Sequence, residues 1–187
     1  VKALAGVEVD VAREQDVWAC LTCEVCNAMC PYKVDYSGFV RGMRTEAIKV
    51  GATPACSLGG LMQTTARIMA NSTAQQDRLA WVTEDLKVTN DKGKVFYFTG
   101  CLPYMDALFN KDGVRCLDIA RSAVRMMNAS GITPVVSGDE KCCGHDLNWT
   151  GDEQNLVKLM KHNVENIRKS GAETVIFTCP ECLRTFN

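Results

Sequence analysis

The sequence predicts an α/β protein in two parts: a small helical module rich in cysteine, then a domain with a parallel sheet flanked by helices. Three observations lead to this prediction. Four cysteines crowd between residues 20 and 30. From residue 94 onward, short apolar segments alternate with amphipathic ones, which is typical of strand–helix–strand units. Hydrophobic residues make up 47% of the 187 residues and charged residues 23%, the balance of a chain that buries a core.

The first half of the chain is predicted to be helical around its cysteines. Residues 1–16 are expected to form a helix or lead-in, and residues 17–36 a compact loop with short helical turns. A helix is predicted over 37–50, with Ser37 as its cap and Gly51 as its stop. The remaining segments are predicted as a linker over 52–60, a helix over 61–82 and a polar connection over 83–93.

The second half is predicted to alternate strands with two amphipathic helices. Hydrophobic residues three or four apart mark the first helix, which stops at Gly131. The second helix is expected to open at a capping box, 150–153, and to stop at Gly171. The predicted strands are Val95–Thr99, Ile132–Val136 and Thr174–Thr178.

Composition excludes several classes of function. The net charge of −1 gives no electrostatic reason to expect a nucleic-acid partner. The apolar runs are only a few residues long, too short to span a bilayer. Residues 1–10 lack the charged start and apolar block of a secretory signal, and we therefore expect a cytoplasmic protein. Eleven cysteines are an odd number, which favours metal ligation in a reducing compartment over a disulfide framework. Because the chain starts at Val1 and stops at Asn187, we expect it to be part of a longer protein.

The first group of cysteines has the spacing of bacterial ferredoxins, C-x₂-C-x₂-C-x₃-C-P. This spacing lets three thiolates surround one cubane [4Fe–4S] cluster, whereas a zinc site more often has two separated C-x-x-C pairs. Zinc and incidental cysteines are the alternatives. The ligands predicted for this cluster are Cys20, Cys23, Cys26 and Cys30.

A two-cluster module needs a second run of four cysteines, and this sequence holds one. Either the module binds one cluster, or a partner run lies upstream of Val1 and Cys30 serves the cluster held there. We favour the second arrangement. Cys56 is a weak candidate for a completing ligand and is expected to be a buried thiol.

The second group of cysteines follows the three predicted strands. Cys101 closes the first strand, Cys142 and Cys143 follow the second after a short loop, and Cys179 closes the third, with Cys182 shortly after. The carboxyl ends of parallel strands share one edge, so the five thiolates are expected to converge there. Five exceed the ligands of a tetrahedral zinc site or a simple cubane, which favours an extended cluster or neighbouring metals. Zinc ligands and buried thiols are the alternatives.

Three motifs, F-T-G-C-L-P, K-C-C-G-H-D and T-C-P-E-C, resemble the cysteine-rich CCG domain of heterodisulfide reductase catalytic subunits and their relatives. The upstream run resembles the D-subunit type, in which a ferredoxin module is fused to CCG domains, and the resemblance covers residues from about 17 to 187. It implies a non-cubane [4Fe–4S] cluster that acts directly on sulfur. The implied ligands, which are also the implied catalytic residues, are Cys101, Cys142, Cys143, Cys179 and Cys182.

The sequence also departs from two-block members of that family. It has one C-C-G block, and forty residues separate Cys101 from Cys142, a spacer at the long limit for the family. The single block and the H-D that follows it resemble the K subunit of the sulfite-reduction-linked membrane complex. His145 is a further catalytic candidate, able to donate a hydrogen bond to a cluster sulfur or a proton to a departing thiolate.

The resemblance implies an oxidoreductase subunit that passes electrons from the cubane to the non-cubane cluster. The expected substrate is a disulfide or sulfane sulfur, such as a heterodisulfide, trisulfide or protein-borne sulfur. The expected partners are other redox subunits, such as a flavoprotein or a membrane b-type cytochrome through which the chain is membrane-associated. Two alternatives stay open: an electron-transfer subunit linking a flavoprotein dehydrogenase to quinone, and a zinc-bound structural module. The predicted parts are a ferredoxin-type module over 1–56, a helical linker over 57–93 and a CCG domain over 94–187.

Overall fold

The computed structural model describes residues 16–54, 57–73 and 77–187. Most of the predicted lead-in over 1–16, and the prediction for Cys56, lie outside these ranges. In chain order the elements are helices α1 (Asp16–Ala19), α2 (Val25–Met29), α3 (Tyr36–Lys49) and α4 (Leu61–Asn71), strand β1 (Val95–Phe98), helices α5 (Leu102–Phe109), α6 (Leu117–Ala129), α7 (His145–Thr150) and α8 (Glu153–Ser170), strand β2 (Thr174–Phe177) and helix α9 (Pro180–Phe186), with 3₁₀ turns at Ser57–Gly60 and Asn110–Asp112.

The sheet is small and parallel, as predicted. Strands β1 and β2 pair in parallel along their full lengths, from Val95 opposite Thr174 to Phe98 opposite Phe177. On the other side of β1 the chain pairs at Val135 alone, which also bridges to Thr89. The parallel connection through α6, α7 and α8 therefore places the ends of β1 and β2 side by side.

The prediction of a full strand over 132–136 is wrong, and the local chemistry explains why. The N–H of Ile132 is taken by the carbonyl of Met127 at the end of α6. Pro134 has no N–H to give to a ladder. Only Val135 is left to bridge β1, with its N–H 2.7 Å from the carbonyl oxygen of Val95.

Two predicted helix caps, Ser37 and Thr150, are also wrong, because aspartates two residues away do the capping. Asp35 caps α3 by accepting a 2.9 Å hydrogen bond from the N–H of Gly38, and Ser37 lies buried inside the helix. Asp152 caps α8 by accepting from the N–H of Asn155 at 3.3 Å. The stops predicted at Gly51, Gly131 and Gly171 are confirmed, since each has the positive φ of a C-terminal glycine.

The helix predicted over 61–82 ends at Asn71, and helix α5 was not predicted. The residues around 78–81 instead form a turn that buries Trp81 edge-to-face against Tyr97, with ring centroids 6.3 Å apart. The stability gained by burying Trp81 outweighs the helix-forming tendency that the periodicity of this segment indicates. Within the described ranges, no helix has the length and apolar content needed to cross a bilayer.

The core lies on both faces of β1, since successive side chains of a strand point to opposite faces. Tyr97 packs with Trp81 and the inner face of α6. Phe96 and Phe98 pack on the other face with Val135 and residues from β2 and α9. Two cysteines, Cys143 and Cys182, are part of this second cluster, so the core extends directly into the cysteine-bearing end of the sheet.

Candidate metal centre

The five cysteines of the second group lie together where β1 and β2 end. Cys101 follows β1 at the cap of α5, and Cys179 follows β2 at the cap of α9. Cys182 lies in the first turn of α9 and is buried. Cys142 and Cys143 are both buried in the loop that leads into α7. The fold thus gathers thiols from three separate parts of the chain.

The thiols form a continuous chain of sulfur contacts. The Sγ atoms of Cys101 and Cys142 are 3.8 Å apart. Cys142 is in turn hydrogen-bonded to Cys143, Cys143 to Cys182, and Cys182 to Cys179. All ten cysteines in the described ranges are free thiols rather than disulfides.

Hydrogen bonds between the thiols shift their pKa values in opposite directions along this chain. Hydrogen bonding to Cys142 and burial raise the pKa of Cys101 well above its ordinary value, while the bond from Cys101 holds the pKa of Cys142 well below it. At the other end, hydrogen bonding from Cys182 lowers the pKa of Cys179 to about 6. The pKa values of Cys143 and Cys182 are raised, chiefly by hydrogen bonds with their thiol neighbours. These shifts favour the thiolate form at Cys142 and Cys179, and metal binding would release the protons of the other thiols.

Backbone N–H groups at the starts of two helices point toward these sulfurs. The N–H of Gly144 donates to Cys142 Sγ at 3.3 Å, and the N–H of His145 donates to Cys143. The first N–H groups of α9 lower the pKa of Cys179 in the same way. Such donors stabilise thiolates, and around iron–sulfur clusters they favour the reduced state.

A buried ion pair joins the two loops that carry Cys101 and Cys142. The Glu140 carboxylate accepts hydrogen bonds from the N–H groups of Thr99 at 3.0 Å and Gly100 at 2.7 Å. Arg78 donates from Nη2 to Glu140 at 2.7 Å and to the Gly100 carbonyl at 2.6 Å. Burial raises the pKa of Glu140 to about 7, against the opposing effect of Arg78 and the two backbone donors. No sequence motif marks this pair.

Asn163 fixes the next stretch of the same loop from helix α8. It is 1% exposed, accepts from the N–H of Lys141 at 2.9 Å and donates to the carbonyl of Cys142 at 3.0 Å. Met69 of α4 accepts from the N–H of Cys142 through its sulfur at 3.2 Å. No local sequence signal marks this role of Asn163.

The ring of His145 lies on the side of α9. Its Nδ1 is 3.3 Å from the Thr185 hydroxyl, its Nε2 is 3.8 Å from Glu181, and its ring packs edge-on against Trp149. The group of His145 that reaches a site thiol is its backbone N–H, at Cys143. The predicted role of its ring in proton or hydrogen-bond donation stays a prediction.

The first group of cysteines lies on an exposed, tightly turned segment. Cys23 and Cys26 are exposed, and Cys20 and Cys30 are half-buried. Three non-glycine residues near them have left-handed backbone conformations: Thr22, Glu24 and Lys33. Such conformations cost on the order of 1–3 kcal/mol each and cluster at ligand-binding segments.

The thiol positions constrain what either group can hold. In the ranges that the structure describes, no three Cys, His, Asp or Glu side chains converge closely enough to hold one metal ion as they stand. Binding therefore requires the thiols to turn from each other toward a metal. The donor set at the sheet edge is all sulfur, which suits zinc or an iron–sulfur cluster. Its five members exceed the four of a structural zinc site, so the donors fit a cluster better.

The two groups of cysteines are joined through Arg44 on α3. Its buried guanidinium donates to the carbonyls of Cys20 at 2.6 Å, Val17 at 2.9 Å and Trp149 at 2.7 Å. Trp149 belongs to the helix that begins directly after Cys143 and Gly144. Helix α3 also approaches Gly151 so closely that an added Cβ would lie 2.5 Å from the Arg44 backbone.

A second link joins the two groups at the surface. Glu24, between two cysteines of the first run, forms an ion pair of 2.5 Å with Arg184, two residues after Cys182.

Comparison with known proteins agrees with this site. Residues 95–187 match the family model of the cysteine-rich domain called CCG. The chain is 32% identical over 176 residues to the D subunit of the dihydromethanophenazine:CoB–CoM heterodisulfide reductase of Methanosarcina barkeri, and 33% identical to that of Methanosarcina acetivorans. It is also 26% identical over 183 residues to an uncharacterized iron–sulfur protein of Methanococcus maripaludis, with 94% of this chain and 34% of that protein covered.

The two reductase alignments cover 91% of this chain, which spans 41% of the length of those relatives. No solved structure matches the chain. Residues 95–187 therefore belong to the CCG family of cysteine-rich domains, in a chain related to the D subunit of heterodisulfide reductase.

Proposed function

We propose that the chain is an iron–sulfur oxidoreductase subunit that delivers electrons to a disulfide or sulfane-sulfur substrate. In this proposal Cys20, Cys23, Cys26 and Cys30 are ligands for cubane [4Fe–4S] binding, either all to one cluster or with Cys30 shared with a second cluster. The five thiols at the sheet edge hold a non-cubane cluster, where the substrate sulfur binds. The relatives named as D subunits of heterodisulfide reductase support this substrate class.

The observation that carries the proposal is the thiol chain from Cys101 to Cys179. Its five sulfurs come from two strand ends and the loop before α7, and backbone N–H groups donate to them. Hydrogen bonds that lower the pKa of Cys142 and Cys179 suit thiolate ligands of a metal better than a purely apolar core. When bound, a cluster supplies single electrons and an iron that binds sulfur.

The chain's own residues would orient the site and exclude water from it. Cys142, Cys143 and Cys182 are each 3% exposed, so the deeper part of the site is dry. Glu140 and Asn163 fix the two loops, which keeps the ligand backbone in place through a redox cycle. Cleavage of the S–S bond takes up two electrons and two protons and yields two thiols, so a proton path is also required. His145 and Asp146, at the start of α7, are the proposed donors.

Electrons would enter through the first group of cysteines. Cys23 and Cys26 are exposed there, and apolar side chains around them are left in solvent: Leu21 is 87%, Met29 77% and Tyr32 87% exposed. This surface suits a redox partner, for which a flavoprotein or b-type cytochrome subunit is proposed. Arg44 and the Glu24–Arg184 pair hold this entry point against the CCG domain.

The direct test is anaerobic disulfide reduction by the protein with a reduced viologen dye as donor. Cys143→Ser is expected to abolish thiol formation and the spectroscopic signal of the sheet-edge cluster while leaving the signal of the first cluster. Cys116→Ser, a cysteine outside both groups, is the matched control and is expected to leave both signals. Full activity and an intact second signal in Cys143→Ser would contradict the catalytic assignment. A loaded protein that passes electrons to quinone and forms no thiol would favour the electron-transfer alternative.

A further inference from the structure

Arg78 is a buried cation with two hydrogen-bond donors left over. Its side chain is 3% exposed, and its Nη2 makes the hydrogen bonds to Glu140 and the Gly100 carbonyl. Its Nε and Nη1 are buried and have no hydrogen-bond partner in the described part of the chain. Burying guanidinium N–H groups without hydrogen-bond acceptors costs free energy of folding. Such donors therefore usually bind an acceptor, such as a ligand, in the functional protein.

The surroundings of Arg78 show which acceptor that is. Its Cζ lies 5.3 Å from the centre of the Tyr104 ring, which covers one face of the guanidinium, and the Tyr104 hydroxyl also interacts with Arg78. The one carboxylate in contact, Glu140, is bound through Nη2. The positive charge is close enough to the thiols of Cys101 and Cys142 to lower the pKa of each. Besides Glu140 and Tyr104, the acidic groups that interact with Arg78 are therefore the thiols of Cys101 and Cys142.

We propose that Arg78 binds anionic sulfur at the sheet-edge site, donating its Nε–H and Nη1–H to a cysteine thiolate or an inorganic sulfide held at Cys101 and Cys142. The inference rests on the proposed function because it requires a cluster in this site. It assigns Arg78 two roles at once. Nη2 fixes the Cys101 turn through Gly100, and the other two nitrogens stabilise the negative charge of the loaded site. Glu140 is the positioning residue that holds the guanidinium in place.

This arrangement predicts an electrostatic effect on the sheet-edge cluster alone. Reduction adds negative charge to the cluster, and a guanidinium hydrogen-bonded to its sulfur stabilises that charge. Loss of the guanidinium disfavours the reduced state. The first group of cysteines lies in a separate segment and serves as an internal reference.

The decisive experiment uses the intact, anaerobically loaded protein with ¹⁵N-labelled arginine. Pulsed EPR of the reduced sheet-edge cluster is expected to detect hyperfine coupling to guanidinium ¹⁵N, because a hydrogen bond to cluster sulfur brings nitrogen close to the spin. Arg78→Lys is expected to lose that coupling. Arg121→Lys is the matched control, since Arg121 bonds the Trp81 carbonyl and Asp118 on α6, and it should keep the coupling. A loaded wild-type protein without ¹⁵N coupling would overturn the proposal.

A second measurement tests the charge. The background is Glu140→Gln, which removes the carboxylate paired with Arg78 but keeps an amide oxygen that can accept from the guanidinium. In this background, the variant with Arg78→Met is compared with the one that keeps Arg78 for cluster reduction at one fixed potential. The ratio of reduced to oxidised sheet-edge cluster is expected to fall on the order of tenfold, with the ratio for the first cluster unchanged. Equal ratios at equal iron and sulfide content would overturn the proposal. If no cluster forms in the wild-type protein, the proposed function fails; if it forms without coupling to Arg78, only this inference fails.

Discussion

The carboxylate of Glu140 accepts a 2.7 Å hydrogen bond from the N–H of Gly100 and so joins two loops that are forty residues apart in sequence. Gly100 precedes Cys101, and Glu140 comes two residues before Cys142. This single link sets the register between the two cysteines whose sulfurs are 3.8 Å apart. The site is therefore held by buried polar contacts beneath it as well as by the sheet.

The first prediction concerns the two hydrogen bonds by which Asn163 holds the backbone of Lys141 and Cys142. Asn163→Leu leaves the N–H of Lys141 and the carbonyl of Cys142 unpaired in a buried place, which should cost about 2 kcal/mol of unfolding free energy. The urea midpoint of the protein under argon measures this cost. Asn166→Leu is the control, because among the described residues the Asn166 side chain bonds Ser137 at a half-buried position, and it should cost much less. Equal urea midpoints for the two variants would contradict the claim that Asn163 stabilises this loop.

A pair of glycines tests the close approach of α3 to the helix that follows the CCG motif. Gly151 and Gly171 have φ values of 84° and 71°, so alanine is strained at both. An added Cβ at Gly171 meets nothing within 4 Å, whereas at Gly151 it meets the backbone of Arg44 at 2.5 Å. We expect Gly171→Ala to cost about 1 kcal/mol and Gly151→Ala about 3 kcal/mol, measured by urea unfolding. A smaller loss for Gly151→Ala than for Gly171→Ala would show that this packing is wrong.

The pH dependence of thiol reactivity follows from the thiol chain. In the metal-free protein, Cys179 has a pKa lowered to about 6 because Cys182 donates a hydrogen bond to it. Its alkylation rate, followed by peptide mass spectrometry, should rise with a midpoint near pH 6 as the thiolate forms. Cys182→Ala removes the donor and should move the midpoint upward, toward the ordinary value of 9.0. An unshifted midpoint with circular dichroism unchanged would mean that these two thiols do not contact each other.

The link through Arg44 is tested by electron transfer between the two cysteine groups. Arg44 bonds the three carbonyls through three different nitrogens, which the single ammonium nitrogen of lysine cannot reproduce, so Arg44→Lys should loosen the first module from the CCG domain. In rapid-mixing experiments we expect slower reoxidation of the first cluster by a disulfide, with its reduction potential unchanged. Arg41→Lys is the control, since the side-chain hydrogen bond of Arg41 in the described ranges is an exposed one of 3.4 Å to Asn148. Identical rates in the two variants would remove the proposed role of Arg44.

The sequence predicted the elements that depend on local signals. Two strands and the stops at Gly131 and Gly171 were predictable because hydrophobic periodicity and glycine conformation are properties of short segments. Cys101 and Cys179 follow two parallel strands, whose carboxyl ends share one edge of the sheet, so their meeting at that edge was also predictable. The strand predicted over 132–136 does not form because Pro134 has no N–H and interrupts the hydrogen bonding. This effect outweighs the apolar character of the segment.

The supporting residues could not be predicted in the same way. Arg78 and Glu140 are 62 positions apart, and Asn163 acts on a loop 22 positions before it. A lone buried arginine or asparagine has no local pattern that distinguishes it from a surface residue. Their partners become visible only when the fold brings distant segments together.

The central claim is that the two cysteine groups hold inorganic iron and sulfide, and elemental analysis tests it most directly. Anaerobically purified protein should contain iron and acid-labile sulfide in about equal amounts, near eight of each per chain if both sites are filled with four-iron clusters. Cys143→Ser should lose about half of each. Zinc in place of iron, with no labile sulfide, would contradict the account.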